Sequence, residues 1–155
     1  MSVSASSRIL VVDDEPDIVS LLCQILEKEH PVITVKSGEM ALELAEKEVF
    51  PVVILDLCLP QMSGLETLAK LRSMNSRLRI IILTSKSCEE SAIKSLNLGA
   101  FKYLLKPFSA AKLRAFVREG MDEFRGSLQS QTTETVGWTR YSDQQKHKIS
   151  YGMRV

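Results

Sequence analysis

The chain has 155 residues, 20 Lys plus Arg against 19 Asp plus Glu for a formal net charge of +1, and 45% hydrophobic residues. Length and apolar content suit a single globular domain with a real core, and the near-balance of charge argues against a nucleic-acid binder that relies on a strongly basic surface. No apolar run approaches the roughly 18 residues of a membrane span.

Met1 to Ser7 is small and polar, lacks the basic and apolar regions of a signal peptide, and reads as a flexible N-terminus. Five short aliphatic runs follow: Ile9 to Val12, Val32 to Val35, Val52 to Leu55, Ile80 to Leu83 and Phe101 to Leu105. Several are apolar on both faces, as parallel strands covered by helices on each side must be. Helical periodicity separates them: Ile18, Leu22, Ile25 and Leu26 share one face, Leu65, Leu68 and Leu71 another, and Leu113, Phe116, Val117 and Phe124 a third. Pro16 suits the first turn of the first helix and Gly99 a helix C-terminal cap. Five strand–helix units predict a doubly wound α/β fold, a parallel sheet with helices on both faces, over residues 8–124.

The pattern stops near Phe124. Residues 125–155 are rich in Ser, Thr and Gln, and their bases (Arg125, Arg140, Lys146, Lys148, Arg154) outnumber their acids (Glu134, Asp143). This segment reads as a mildly basic, flexible tail, too small for an independent output domain. It carries Trp138, Tyr141 and Tyr151. Cys23, Cys58 and Cys88 have no C-x-x-C spacing and read as free thiols in a reducing cytoplasm.

Open α/β sheets bind ligands at the carboxyl ends of their strands, and those ends carry a coherent set. Strand one ends in Asp13-Asp14-Glu15, strand three in Asp56, strand four in Thr84-Ser85, and strand five leads to Lys106-Pro107. Converging carboxylates repel one another and lose solvation unless a cation sits among them; a few oxygen ligands suit Mg²⁺. A lone lysine opposite supplies a point charge for an anion, and Thr84 a hydroxyl donor. Together they describe a phosphoryl site. Singly, each has a plainer role: a strand-end Asp caps the next helix, and a Lys before Pro is a solvated loop residue. Their joint placement at four strand ends is what points to chemistry.

Ile9-Leu10-Val11-Val12-Asp13-Asp14-Glu15-Pro16, Asp56-Leu57-Cys58-Leu59-Pro60-Gln61-Met62-Ser63-Gly64, Ile82-Leu83-Thr84-Ser85 and Tyr103-Leu104-Leu105-Lys106-Pro107-Phe108 together resemble the receiver domains of two-component response regulators, over about residues 8–124. The resemblance implies a flavodoxin-like strand order 2-1-3-4-5. It implies that Asp56 is the phosphoacceptor, taking a phosphoryl group from a sensor histidine kinase or histidine phosphotransfer protein. Asp13, Asp14 and Asp56, with the Cys58 carbonyl, would hold Mg²⁺. Lys106 would pair with the phosphoryl oxygens across a cis Lys106-Pro107 bond, Thr84 would hydrogen-bond one of them, and Tyr103 would turn inward as Thr84 moves. The output would be the face of the fourth helix, fifth strand and fifth helix, about Cys88 to Phe124, meeting a downstream protein or a second copy. No nucleic-acid or membrane contact by this chain and no catalysis beyond its own phosphoryl transfer are expected. The alternative is the receiver half of a DNA-binding transcription regulator.

Leu59 stands where Met is common in the family, a volume-conserving swap, and Ser85 where Ala is usual. Cys58 and Lys86 occupy positions that, the resemblance implies, vary in the family and tune phosphoryl lifetime. Cys58 is no water-positioning amide or acid and Lys86 adds positive charge, so slow self-dephosphorylation is expected. A redox role for Cys58 is disfavoured by its carboxylate neighbours, which raise a thiol pKa. Glu15 and Asp17 are assigned to the helix N-terminus, with Glu15 able to reach the metal through water. Met40, Met62 and Met74 read as packing residues, and His30 and His147 as isolated. An aspartyl-phosphate phosphatase of haloacid-dehalogenase type would need Asp at position 58, and a flavodoxin-like cofactor protein a Ser/Thr/Gly-rich loop after strand one. Both fail on those residues.

Overall fold

Strands β1 (Ile9–Val12), β2 (Val32–Val35), β3 (Val52–Asp56), β4 (Arg79–Thr84) and β5 (Lys102–Leu105) alternate with helices α1 (Pro16–Leu26), α2 (Gly38–Lys47), α3 (Gly64–Met74), α4 (Glu89–Asn97) and α5 (Ala110–Gly137) in a computed structural model that describes residues 7–137. The strands form one parallel sheet in the order β2-β1-β3-β4-β5, the expected one.

Burial explains why some runs are apolar throughout and others are not. Every residue of β1 and β3 is buried, as are Ile80 to Thr84 of β4, whereas the edge strands β2 and β5 keep partly exposed positions. Alternate residues of the central strands feed two cores. Leu10, Val12, Val53, Leu55, Ile80 and Ile82 pack with Ala41 of α2 and with Leu68 and Leu71 of α3. Ile9, Val11, Val52, Ile54, Ile81 and Leu83 pack with Leu22 and Leu26 of α1 and with Leu113, Val117 and Met121 of α5. Burying one such side chain stabilises by about 1.5–3 kcal/mol, so the double-sided core is the main term holding the sheet between its helix layers.

The helix ends follow local chemistry. Pro16 occupies the first turn of α1, Ser37 caps α2 by accepting from the Met40 amide, and Ser63 caps α3 by accepting from Glu66. Gly99 closes α4 with φ +102°, a left-handed conformation that costs glycine nothing. At Gly64 the reason is space: a Cβ there would come 2.4 Å from Leu57 Cα and 2.6 Å from the Asp56 carbonyl oxygen, so only glycine lets α3 begin against the end of β3.

Two readings of the sequence need correction. Met40 and Met74 are 46% and 40% exposed and sit at the surface, and only Met62 is part-buried; unbranched Met on an amphipathic stripe marks a helix face without fixing its depth. Phe101 precedes β5 instead of opening it. The chain divides into compact units at Phe124/Arg125, where the apolar pattern stops, but α5 continues to Gly137. A helix satisfies its backbone by internal hydrogen bonds and needs no apolar stripe to do so, so hydrophobic periodicity cannot see such an extension. Trp138, Tyr141, Tyr151 and His147 lie outside the described residues.

Candidate functional site

Because all five strands run the same way, their carboxyl ends gather on one edge, and β1, β3 and β5 each deliver a charged side chain there. Asp13 follows β1, its amide bonded to the Val35 carbonyl of β2, and Asp56 closes β3; they are 1% and 3% exposed. Lys106 follows β5, anchored by its amide to the Thr84 carbonyl, and the Lys106-Pro107 bond is cis, as the resemblance implied. The lysine Nζ lies 3.7 Å from Asp13 Oδ2, 3.7 Å from Asp56 Oδ2 and 2.9 Å from Glu15 Oε1.

Backbone donors set the carboxylates. The Glu15 amide donates to Asp13 Oδ1 at 2.9 Å and the Cys58 amide to Asp56 Oδ1 at 3.1 Å, which turns each Oδ2 toward the lysine. Asp13 Oδ2 is buried without any hydrogen-bond partner. Burial pushes Asp13 up to about 6, against the Glu15 amide that lowers it and with the charge of Asp56 adding to the rise. Asp56 is likewise raised by burial, with the Cys58 amide and Lys106 opposing and Glu15 and Asp14 reinforcing. Burial works against the charged form of Lys106, but the Glu15 hydrogen bond and the neighbouring Asp56 and Asp13 more than offset it, so its pKa is raised.

Carboxylate oxygens of Asp13, Glu15 and Asp56 all lie within 4.8 Å of one another. A donor set made of oxygens alone, with one buried oxygen unpartnered, fits a hard divalent cation such as Mg²⁺. The composition of the cluster differs from the expected set in one respect. Asp14 is exposed and stands outside it, close enough to act on Asp56 by charge only, while Glu15 stands inside. The reason is Lys106: its ammonium draws the Glu15 carboxylate across the site, and Glu15 accordingly makes no side-chain cap at the α1 N-terminus. Three acids in a row facing a lysine was the available signal; which one the lysine takes depends on side-chain reach.

Thr84 is fully buried, and its hydroxyl donates to the Ser85 carbonyl at a long 3.4 Å. Tyr103 on β5 is half-buried and donates its hydroxyl to Glu89 Oε2 at 3.1 Å, which raises its pKa. His30 lies beyond the end of α1, 4.0 Å from Glu29, and joins nothing here. A contact that sequence reading missed joins the loops after β3 and β4: Cys58 Sγ and Cys88 Sγ are 3.5 Å apart. Cys58 is pushed up to about 11, first by its hydrogen bond to Cys88 and then by burial, with the Asp56 charge contributing as expected. Cys88 is lowered by accepting from Cys58, Ser85 and Ser87.

A family model of the response regulator receiver domain matches residues 9–118. The chain is 41% identical over 114 residues to the alkaline phosphatase synthesis transcriptional regulatory protein PhoP of Bacillus subtilis, covering 73% of this chain and 48% of that one. It is 35% identical over 129 residues to the transcriptional regulatory protein CpxR of Escherichia coli, covering 83% and 55%. Among solved structures, a CheY-like receiver domain protein of Methanospirillum hungatei superposes with a TM-score of 0.73 at 32% identity, over 78% of this chain and 98% of that one. The chain thus spans about half the length of the curated relatives it matches.

Proposed function

The chain belongs to the response regulator receiver domain family, and on that premise we propose that it is a phosphorylation-driven signalling switch with Asp56 as its phosphoacceptor. The observation that carries the reading is the convergence of Lys106 Nζ on Asp13 and Asp56 at 3.7 Å each.

The residues divide the work as follows. Asp56 Oδ1 is held by the Cys58 amide, which leaves Oδ2 to attack the phosphorus of a phosphohistidine on a sensor kinase or phosphotransfer protein. An O–P bond forms as the P–N bond breaks, and the electron pair leaves with the imidazole. Lys106 keeps its charge throughout, since its carboxylate neighbours raise its pKa, and it exchanges Glu15 for a phosphoryl oxygen. The Thr84 hydroxyl trades its long bond to Ser85 for another phosphoryl oxygen, and Tyr103 trades Glu89 for the space Thr84 vacates. Such a bistable pair converts a local charge into a change of surface. Asp13, Asp56 and the Cys58 carbonyl, with Asp14 or Glu15, would hold Mg²⁺; when bound, it offsets charge on both the attacking carboxylate and the transferring group.

The output surface is α4-β5-α5, where Ile93, Leu96 and Leu98 are exposed. No separate substrate is turned over; Cys58 and Lys86 favour a slow loss of the phosphoryl group. Among the described residues no helix is long and apolar enough to cross a membrane, and the setting we assign is the cytoplasm. A second reading is favoured by the names of the relatives, which are transcriptional regulators about twice as long as the matched region: this receiver would then govern a DNA-binding output.

The test is incubation with Mg²⁺ and acetyl phosphate followed by intact mass. A gain of about 80 Da, absent in Asp56→Ala and in EDTA, is expected. Neither mass gain nor measurable Mg²⁺ binding would overturn the phosphoacceptor assignment and leave a scaffold.

A further inference from the structure

β3 and β4 are hydrogen-bonded neighbours, and the loops that leave them run side by side along the rim of the site. Cys58 stands two residues beyond β3 and Cys88 four residues beyond β4. Their sulfurs are 3.5 Å apart, Cys58 is exposed and Cys88 partly so. Disulfide bonding at about 2.05 Å asks for an approach of roughly 1.5 Å, on the scale of a χ1 rotation with a small loop adjustment. Cys88 occupies the N-cap position of α4 and makes no side-chain cap bond there, so α4 loses no cap if its sulfur is bonded elsewhere. The remaining cysteine, Cys23, is on α1.

We propose that Cys58 and Cys88 are an oxidative modification site, closing to an intramolecular disulfide in response to a peroxide and reopening with a dithiol. Cys88, whose sulfur sits beside Cys58 Sγ and Ser87 Oγ, attacks a peroxide oxygen as thiolate, leaving Cys58 as the resolving thiol; the O–O bond breaks, hydroxide leaves and is protonated to water, and the Cys88 sulfur becomes a sulfenic acid. The second thiol, giving up its proton, attacks that sulfur; the S–O bond breaks, the S–S bond forms and a second water departs. Two thiols lose two electrons and two protons, and one hydrogen peroxide becomes two waters. Thiol–disulfide exchange with a dithiol reverses the change.

The crosslink acts on the switch through both loops. The Cys58 amide holds Asp56, and Cys88 lies between the Thr84–Ser85 stretch and Glu89, the acceptor of Tyr103. Tying them fixes the segment that Thr84 must move, a consequence that rests on the phosphoacceptor reading above.

The whole chain is treated with hydrogen peroxide, quenched, denatured, labelled with N-ethylmaleimide and weighed. Reduced protein takes three labels, one per free cysteine; oxidised protein is expected to take one, on Cys23, with a Cys58–Cys88 peptide in the digest that dithiothreitol splits. Three labels after peroxide, a bridge to Cys23, or a bridge between chains would overturn the pairing. In parallel, reduced and oxidised protein receive acetyl phosphate and Mg²⁺. Phosphorylation about fivefold slower or more is expected in the oxidised form only, restored by dithiothreitol and insensitive to peroxide in Cys88→Ser. Equal rates with the disulfide formed would overturn the coupling. A disulfide that forms in a protein never phosphorylated even when reduced would overturn the phosphoacceptor reading and support the thiol site, because label counts involve no phosphoryl group.

Discussion

Towards the amino end of the strands, Leu10, Phe50, Val53 and Leu78 are buried apolar side chains beside a groove of about 290 Å³ that Glu46, Glu48 and Asn75 also line. At the carboxyl end, Asp13, Asp56 and Thr84 are buried just as deeply. Burial at the first end removes hydrocarbon from water and stabilises; burial at the second strips solvent from charges and costs. The same strands therefore bury stabilising hydrocarbon along their length and carry an electrostatic cost at their carboxyl end that a bound cation would relieve. Substitutions at the two ends should accordingly have opposite signs.

The largest expected effect is Asp56→Asn, which should abolish the phosphoryl mass gain while leaving the metal-free Tm no lower than the parent's; a clear fall in Tm would break the contrast. Next is Ile81→Ala in the middle of β4, where a fully buried side chain is lost. It should cost about 3–4 kcal/mol in denaturant titration and leave the Mg²⁺ affinity of the folded protein unchanged. Gly64→Ala adds a steric cost at the carboxyl end itself, because the added Cβ strikes the Asp56 carbonyl and Leu57. About 2 kcal/mol of lost stability should come with weakened Mg²⁺ binding by calorimetry.

Asp13→Asn sharpens the comparison further. With its pKa raised to about 6, Asp13 binds its proton more tightly in the folded than in the unfolded chain. Metal-free stability should therefore rise as pH falls through 6 toward the unfolded value, and the charged form is a burden at pH 7.5. Asp13→Asn should gain about 1 kcal/mol at pH 7.5, flatten the rise in Tm between pH 7.5 and 5.5, and lose most Mg²⁺ affinity. The smallest effect belongs to neither end: Glu66→Ala removes an exposed pair with Lys70 at 3.9 Å, and thermal unfolding should register no more than about 0.5 kcal/mol.

How far the sequence could be read follows the same division. Runs such as Ile9 to Val12 and Ile80 to Leu83 announce buried strands by composition alone, and the order of acids, hydroxyl and lysine at their ends announces Asp13, Asp56 and Lys106. Side-chain reach is not written in spacing, so Glu15 taking the lysine in place of a helix cap had to be seen. Cys58 and Cys88 are 30 residues apart, and only the β3–β4 pairing makes them neighbours. Residues 125–137 are helical without an apolar stripe, a state to which periodicity is blind.

The strand order also has a consequence for when the protein becomes competent. Glu15 and Lys106 meet across 91 residues of chain, and the edge strand β5 is the last to join the sheet in sequence. On a ribosome, Asp13 and Asp56 emerge long before their cation, and contacts this distant in sequence form late in folding. A partial chain therefore displays the Asp56 carboxylate without the lysine that meets it in the folded protein. On the phosphoacceptor reading proposed above, phosphorylation would therefore also report that β5 has joined the sheet.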